Sequence, residues 1–181
     1  FCLTTTRRME FASFPYLTAI LLSCVIGLLI ILFLPDEKKQ AIKQVSAVFS
    51  GLTLVLSLVV FCTYDTGRAG LQFAERIAWV PSFGISYFNA VDGFSLPMLL
   101  LTGIVFFTGV LTMRELEHRV KEFYALYFLL VTGVFGLFMS FDLFFIFIWY
   151  DVSLFPMYLL IAVWGSTRKE YGAMKLTLYL L

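Results

Sequence analysis

Long apolar runs dominate the chain, and short polar segments separate them. A helix needs about 20 apolar residues to cross the hydrocarbon core of a bilayer. Five runs come close to this length or exceed it, and an incomplete sixth begins near the end of the sequence. They are 14–34, 45–62, 95–113, 123–140, 143–164 and the incomplete run 171–181. The pattern predicts an all-α membrane protein, a polytopic bundle of five complete transmembrane helices and the start of a sixth.

The two ends of the sequence resemble those of a fragment. Residues 1–13 form an N-terminal segment ahead of the first run, and Met9 stands where a membrane protein could start. We expect residues 1–8 to be upstream read-through or a scar. We also expect the natural protein to continue past Leu181, because 171–181 reaches only about half-way across a bilayer.

Composition supports membrane insertion and excludes several classes of function. With 61% hydrophobic and 14% charged residues, the chain lacks the polar surface of a soluble domain of this size. The net charge of +1 gives no reason to expect nucleic acid as a partner. His118, the single histidine, lies in a charged loop and the three cysteines lack metal-ligand spacing, so we predict no metal site. Without a histidine in a span, b-type haem has no ligand, and we predict no cofactor.

Lysine and arginine residues are distributed unequally between the two sides of the predicted bundle. The side formed by the N-terminal segment, the 63–94 loop and the 140–142 turn carries four basic residues, and the other side carries eight. The four are Arg7, Arg8, Arg68 and Arg76, and the eight are Lys38, Lys39, Lys43, Arg114, Arg119, Lys121, Arg168 and Lys169. Basic loops stay in the cytoplasm. We therefore place the protein in the cell (inner) membrane, with the start of its first helix on the outer side.

The outer 63–94 loop contains the sequence RIAWVPSFGISYFNAV. Aromatic and β-branched residues flank its Pro-Ser-Phe-Gly tetrad, which indicates a short β-hairpin. An irregular aromatic-rich loop lying at the membrane interface is the alternative. At the ends of spans, Asp92 and Asp142 are expected to be helix caps and solvated carboxylates.

Asp151 lies within an apolar run of about forty residues. It is about 12 Å from the outer end of helix five, close to the midplane of the bilayer. Hydrocarbon disfavours the charged form of a carboxyl group, so such residues usually face a protein interior or a water path and mark transport sites. We predict that Asp151 is a proton-relay residue. The alternative is a carboxyl group that is hydrogen-bonded within the bundle and has no transport role.

Two further residues accompany the acid. Pro156 deprives the carbonyl of Val152 of its helical partner and predicts a break or bend in helix five beside the relay; a bend that serves packing alone is the alternative. Lys175 is the only basic residue inside a span. It is expected about four residues into helix six, near the cytoplasmic surface, whereas Asp151 is about 20 Å from that surface, so water or a further helix must connect the two. A lysine that merely snorkels to the interface is equally compatible with the sequence.

One stretch resembles a known family. Residues 149–179 read WYDVSLFPMYLLIAVWGSTRKEYGAMKLTLY, and 88–102 read FNAVDGFSLPMLLLT. The first is similar to the helix 5–6 region of chain 4 (subunit M), an antiporter-like subunit of the proton-pumping NADH–quinone oxidoreductase, complex I. Its features are an acid, L-x-P-M-Y, W-G, a basic loop and K-x-x-x-Y, and the resemblance extends over 9–181.

This resemblance implies a protein of about fourteen helices with two inverted five-helix repeats, of which 14–181 is the N-terminal part. It implies that Asp151 pairs with a lysine on helix seven as a proton relay and that Lys175 is an accessory member. The family usually carries glutamate where this chain has Asp151, one methylene shorter.

The implied partners are protons, the lipid bilayer and other membrane-arm subunits of complex I. Quinone and NADH are bound by other subunits. The implied activity is that of a translocase subunit with no redox centre of its own. A subunit of a cation/proton antiporter or of a membrane-bound hydrogenase is the alternative function. A truncated helical scaffold without transport is a further one.

Overall fold

The structure is a computed structural model that describes residues 15–65, 67, 70–80, 85–165 and 169–180, without the side chains of 77–80 and 85. The described chain contains six α-helices, a short 3₁₀ turn (Met113–Glu115) and one antiparallel pair of strands. In order, the α-helices and strands are α1 (Tyr16–Phe33), α2 (Lys39–Thr63), β1 (Gln72–Val80), β2 (Ile85–Val91), α3 (Ser95–Thr112), α4 (Val120–Met139), α5 (Leu143–Trp164) and α6 (Lys169–Leu180). Helices α1 to α5 are long and apolar enough to cross a membrane. The predicted fold class is confirmed.

Helix boundaries differ from the apolar runs where a helix continues into a polar segment. Helix α2 begins at Lys39 rather than at 45, and α4 begins at Val120 rather than at 123. A hydropathy pattern reports only the length of chain inside hydrocarbon, whereas backbone hydrogen bonding continues into the aqueous layer. Helix α6 begins at Lys169, two residues before the apolar run that predicted it.

Helix α4 occupies the centre of the bundle. It provides Tyr124, Phe128 and Phe135, three of the largest fully buried side chains. The ring of Phe106 on α3 packs edge-on against the ring of Phe128, with 4.9 Å between the ring centroids. Helices α1, α2 and α3 surround it on one side, whereas α5 and α6 lie on the other. Helix α5 buries only Phe145 and Pro156, and most of its other side chains are partly exposed in the described chain.

Helix α2 turns a stripe of small hydroxyl residues into the bundle and an aliphatic face outward. Its buried stripe includes the four hydroxyl residues Ser46, Ser50, Thr53 and Ser57. The hydroxyls of Ser46, Thr53 and Ser57 each donate to the backbone carbonyl four residues earlier in the same helix. Its outward face is aliphatic, with Val48 67% and Val55 56% exposed. Small hydroxyl residues at helix contacts and aliphatic residues at the periphery are typical of helices packed in lipid.

The two strands form the β-hairpin that the sequence indicated, in place of an irregular loop. Pairs run from Gln72 with Val91 to Val80 with Ile85, with irregularities in the register near both ends. The Pro-Ser-Phe-Gly tetrad at 81–84 lies outside the described residues. The hairpin sits over the end of the bundle where α1, α3 and α5 begin, and the Phe141 N–H donates to the Phe88 carbonyl at 2.9 Å.

Candidate functional site

Two glycines of α4 determine which face of α5 packs into the bundle. A Cβ atom on Gly133 would lie 2.8 Å from the Ser153 Cβ and 2.9 Å from the Trp149 carbonyl oxygen, and the indole of Trp149 lies against Gly136. Close backbone approach at small residues is usual for helices in membranes. Trp149 and Ser153 therefore face α4. Asp151, two positions from each, points to the opposite side because two residues correspond to about 200° of helical rotation.

Asp151 is exposed on this outward face of α5. Phe147 and Phe155, one turn before and after it, are 62% and 61% exposed and share the face. Within the described chain, Asp151 has no ion pair or hydrogen bond. The described helices therefore do not enclose the carboxylate, and its burial away from water and lipid stays a prediction.

Pro156 lies within α5 and is buried. The helix continues without interruption from Leu143 through Pro156 to Trp164, so the proline does not end it. Because proline has no N–H, the carbonyl of Val152 lacks its helical donor at this point. A bend of the axis beside Asp151 stays a prediction.

A contact between α5 and α6 relates the depth of Lys175 to that of Asp151. The Tyr150 hydroxyl donates to the Leu180 carbonyl at 2.7 Å, which places the end of α6 level with the middle of α5. Lys175 is five residues before Leu180, or about 7 Å along the helix axis. Its ammonium group lies over the ring of Tyr171 at 4.6 Å. Among the described residues, the lysine and Asp151 form no ion pair.

Both predicted carboxylate caps are present at the hairpin end. Asp92 accepts from the backbone N–H groups of Ser95 and Phe94 at 2.6 and 3.1 Å, and the Ser95 N–H is the main cause of its lowered pKa. Asp142 accepts from the Ser86 N–H at 2.8 Å and from the Phe144 N–H at 3.0 Å. These donors, Ser86 first, lower the pKa of Asp142. Asp142 therefore caps α5 and also attaches strand β2 of the hairpin through the hydrogen bond from Ser86.

At the opposite end of the bundle, lysine and arginine side chains make several contacts. The Lys43 ammonium donates to the Arg114 carbonyl at 2.6 Å, and Arg119 pairs with Glu122 at 2.9 Å. His118 is exposed there, as expected of a solvated loop residue, and its carbonyl accepts from the Trp164 indole at 3.4 Å. These contacts join α2 to the segment that follows α3, and α5 to the loop before α4, at the end that we predict to be cytoplasmic.

Sequence reasoning missed one carboxylate at the hairpin end. Glu75 of β1 accepts from the backbone N–H groups of Leu17 and Thr18 at 3.2 Å each and also contacts the Thr18 hydroxyl. It caps α1 from a strand that follows much later in the chain. The first turn of α1 contains no acidic residue and Pro15 provides no side-chain cap, which was the available signal that a partner had to come from elsewhere.

Comparison with known proteins identifies the fold and its relatives. No family model matches the chain. NAD(P)H-quinone oxidoreductase chain 4-2 of Synechocystis sp. is 33% identical over 167 residues, which are 92% of this chain and 30% of the relative. A chain 4 of Picosynechococcus sp. is 35% identical with the same two shares. The chain is similar to chain 4 of NAD(P)H-quinone oxidoreductase. This confirms the resemblance seen in the helix five motif.

The solved structures agree with the chain 4 similarity. A chain of respiratory complex I from Thermus thermophilus with bound NADH superposes with a TM-score of 0.74 and 26% identity, over 91% of this chain and 32% of that chain. A chain of the membrane-bound sulfane sulfur reductase, an archaeal respiratory membrane complex, gives a TM-score of 0.74 at 20% identity, over 91% of this chain and 34% of that one. The second likeness shows the fold alone. Together with the five helices of the described residues that are long and apolar enough to cross a bilayer, these similarities show a multi-pass membrane protein.

The chain spans about 30% of the length of the curated chain 4 relatives that it matches. The open face of α5, with Asp151 and its neighbouring phenylalanines, lies within this shared portion.

Proposed function

We propose that this chain is part of a proton-translocating membrane-arm subunit of an NADH–quinone oxidoreductase. In this proposal, residues 14–181 are the N-terminal part of an antiporter-like transmembrane domain. Quinone reduction and NADH oxidation take place in other subunits, and this subunit moves protons across the membrane. The similarity to chain 4 supports the proposal, and the position of Asp151 carries it.

Asp151 is the proton carrier in this proposal. It is an ionisable residue about half-way along a helix of hydrophobic residues, and a charged carboxylate in that position is unfavourable without a partner. No cation of the described residues pairs with it. We propose that a basic residue on a further helix supplies the partner. A change in that pairing then alters the proton affinity of the carboxylate, and a proton moves.

The outward face of α5 is the surface on which further helices pack in this proposal. It presents large aromatic side chains on both sides of Asp151, and α4 and α6 leave it uncovered in the described chain. In a protein of the length of the chain 4 relatives, added helices on this face would remove Asp151 from lipid and water. Lys175, about one and a half turns away in depth, would then be an accessory member of the relay.

The orientation of the subunit is part of the same proposal. Five basic residues at the end opposite the hairpin lie in described segments that contact one another, and Arg76 lies on the hairpin side. The five are Lys39, Lys43, Arg114, Arg119 and Lys121. This distribution favours a cytoplasmic location for the basic end and an outer location for the hairpin. Cysteines introduced at Phe94 and at Glu117 in a cysteine-free background test it. With an impermeant maleimide applied outside, only the cysteine at 94 should be labelled.

The decisive experiment is Asp151→Asn in the complete complex, reconstituted into sealed vesicles. Proton uptake or release per quinone reduced is measured with a pH-sensitive dye. Asparagine has nearly the same shape but cannot bind and release a proton, so proton transport should fall sharply while the complex still assembles. A normal ratio of protons to quinone would exclude the proposed role of Asp151.

Two matched variants accompany this measurement. Asp151→Glu keeps the ionisable group and should retain most of the transport. Asp36→Asn removes a carboxylate that is 81% exposed at the far end of the bundle, and it should change nothing. Equal loss in all three variants would indicate a general assembly defect instead of a lost proton carrier.

A further inference from the structure

A second polar feature lies beneath the hairpin, away from Asp151. Asn89 of β2 is fully buried, and Ser140, at the end of α4, is 6% exposed. The Asn89 amide nitrogen donates to the Tyr87 hydroxyl at 2.6 Å. Its oxygen Oδ1 and the Ser140 Oγ have no hydrogen-bond partner among the described residues. A buried polar atom without a partner destabilises the fold, so both atoms need an explanation.

The backbone places these two side chains next to each other. Asn89 and Ser140 form an isolated antiparallel bridge. The neighbouring Phe141 N–H bonds to the Phe88 carbonyl, which makes Asn89 and Ser140 the non-hydrogen-bonded type of pair. In such pairs the Cα atoms are about 4.5 Å apart, and both side chains leave the same face.

A third polar atom without a partner lies at the same end of the α4–α5 contact. The indole nitrogen of Trp149 is buried and has no acceptor in the described chain. Its ring packs on Gly136, one helical turn before Ser140. The three groups are complementary: the indole only donates, the amide oxygen only accepts, and the hydroxyl does both.

We propose that Asn89, Ser140 and Trp149 bind one or two ordered water molecules between the hairpin and the α4–α5 contact. A water needs two to four polar partners in a buried site, and this cluster provides donors and acceptors in that number. The bound water joins the hairpin to the end of α4. The site is separate from the proposed relay because Trp149 and Asp151 are on opposite sides of α5.

High-resolution electron cryo-microscopy of the complete complex tests the site directly. The map must resolve other buried waters in the same subunit. The proposal expects density within about 3 Å of both the Ser140 Oγ and the Asn89 Oδ1. Two results would overturn it: no density at the site, or a direct hydrogen bond between the two side chains that leaves no space for water.

A double-mutant cycle tests the site in solution. Ser140→Ala and Asn89→Leu each remove one partner of the shared water, so the second substitution should lower the unfolding temperature less than it does alone. Ser50→Ala provides the control, because its hydroxyl donates to the Ala47 carbonyl of its own helix. It should combine additively with Asn89→Leu. Additive behaviour of Ser140→Ala and Asn89→Leu would contradict a shared water. If a variant fails to assemble, the map of the unmodified complex decides.

Discussion

Glu75 of the hairpin and Thr18 of α1, 57 residues apart in sequence, are joined through both the backbone N–H and the hydroxyl of the threonine. The carboxylate satisfies N–H groups that have no partner within the helix, and its negative charge lies at the positive end of the helix dipole. On the other strand of the hairpin, the Ser86 N–H donates to the Asp142 carboxylate. The hairpin is thus attached to the first helix and to the fifth by one carboxylate each.

Replacing Glu75 should loosen the attachment at α1. Glu75→Ala removes the cap and should lower the free energy of unfolding in detergent by about 1–2 kcal/mol, the usual effect of a lost N-cap. Glu75→Gln keeps one acceptor oxygen without the charge, so its effect should be smaller. Chemical denaturation followed by tryptophan fluorescence measures both. Glu117→Ala, an exposed acid at the opposite end, serves as the control. Equal effects of Glu75→Ala and Glu117→Ala would contradict a specific cap.

The Asp142 attachment should depend on pH in one direction. Its folded-state pKa is lowered by the Ser86 and Phe144 N–H groups, so the stabilisation is fully present above the unfolded-state pKa of about 3.9. It is lost as pH falls through the lower folded-state pKa. Asp142→Asn has only one acceptor oxygen for two donors and should unfold at a lower temperature at pH 7. The difference from the unmodified protein should stay constant from about pH 8 to pH 5 and shrink below about pH 4. A difference that disappears near neutral pH would contradict this assignment.

Local sequence signals predicted the elements of the fold but not the contacts that join them. Apolar runs are enough to place five spanning helices, and β-branched and aromatic residues indicated the hairpin. Asp92 and Asp142 were recognisable as caps because they lie close before their own helices, three residues before α3 and one residue before α5. Glu75 was not, because its partner Thr18 lies in a distant segment. A single sequence carries no signal for a pairing that only the folded chain brings together.

The candidate site shows the same limit more clearly. The position of Asp151 in an apolar run marked it as unusual. The direction in which the Asp151 side chain points depends on Gly133 and Gly136, because these glycines bring the Trp149 side of α5 against α4. The sequence indicates the depth of Lys175 only from the helix end, whereas the contact of Tyr150 with Leu180 determines the register between α5 and α6.

The glycine contact provides a test of the orientation of α5. In Gly136→Ala, the new methyl group would overlap the Trp149 ring, and the two helices would have to separate. Overpacking of this kind typically costs about 1–3 kcal/mol. The free energy of unfolding should fall by about that amount, and Trp149→Leu should restore part of it in the double variant. Thermal unfolding in detergent measures both effects.

Gly172→Ala is the matched control for this prediction. Gly172 is also in a helix, but a Cβ atom there would have no neighbour within 4 Å. Alanine is the better helix former, so this variant should be neutral or up to about 1 kcal/mol more stable. A loss of stability at Gly172 equal to that at Gly136 would mean that the helix contact is not the cause.

Lys175 should influence proton transport less than Asp151 does. Along the helix axis it lies about 7 Å from the level of Leu180, and among the described residues it has no direct contact with Asp151. Its charge therefore acts on the Asp151 carboxylate only over a distance or through water, and a Coulomb interaction weakens with distance. Lys175→Gln in the complete complex should reduce proton transport per quinone without abolishing it, whereas Lys175→Arg should preserve it. Lys169→Gln, at the exposed start of the same helix, controls for loss of charge at the membrane surface. If Lys175→Gln and Lys169→Gln behave alike, Lys175 is a snorkelling residue and not a member of the relay.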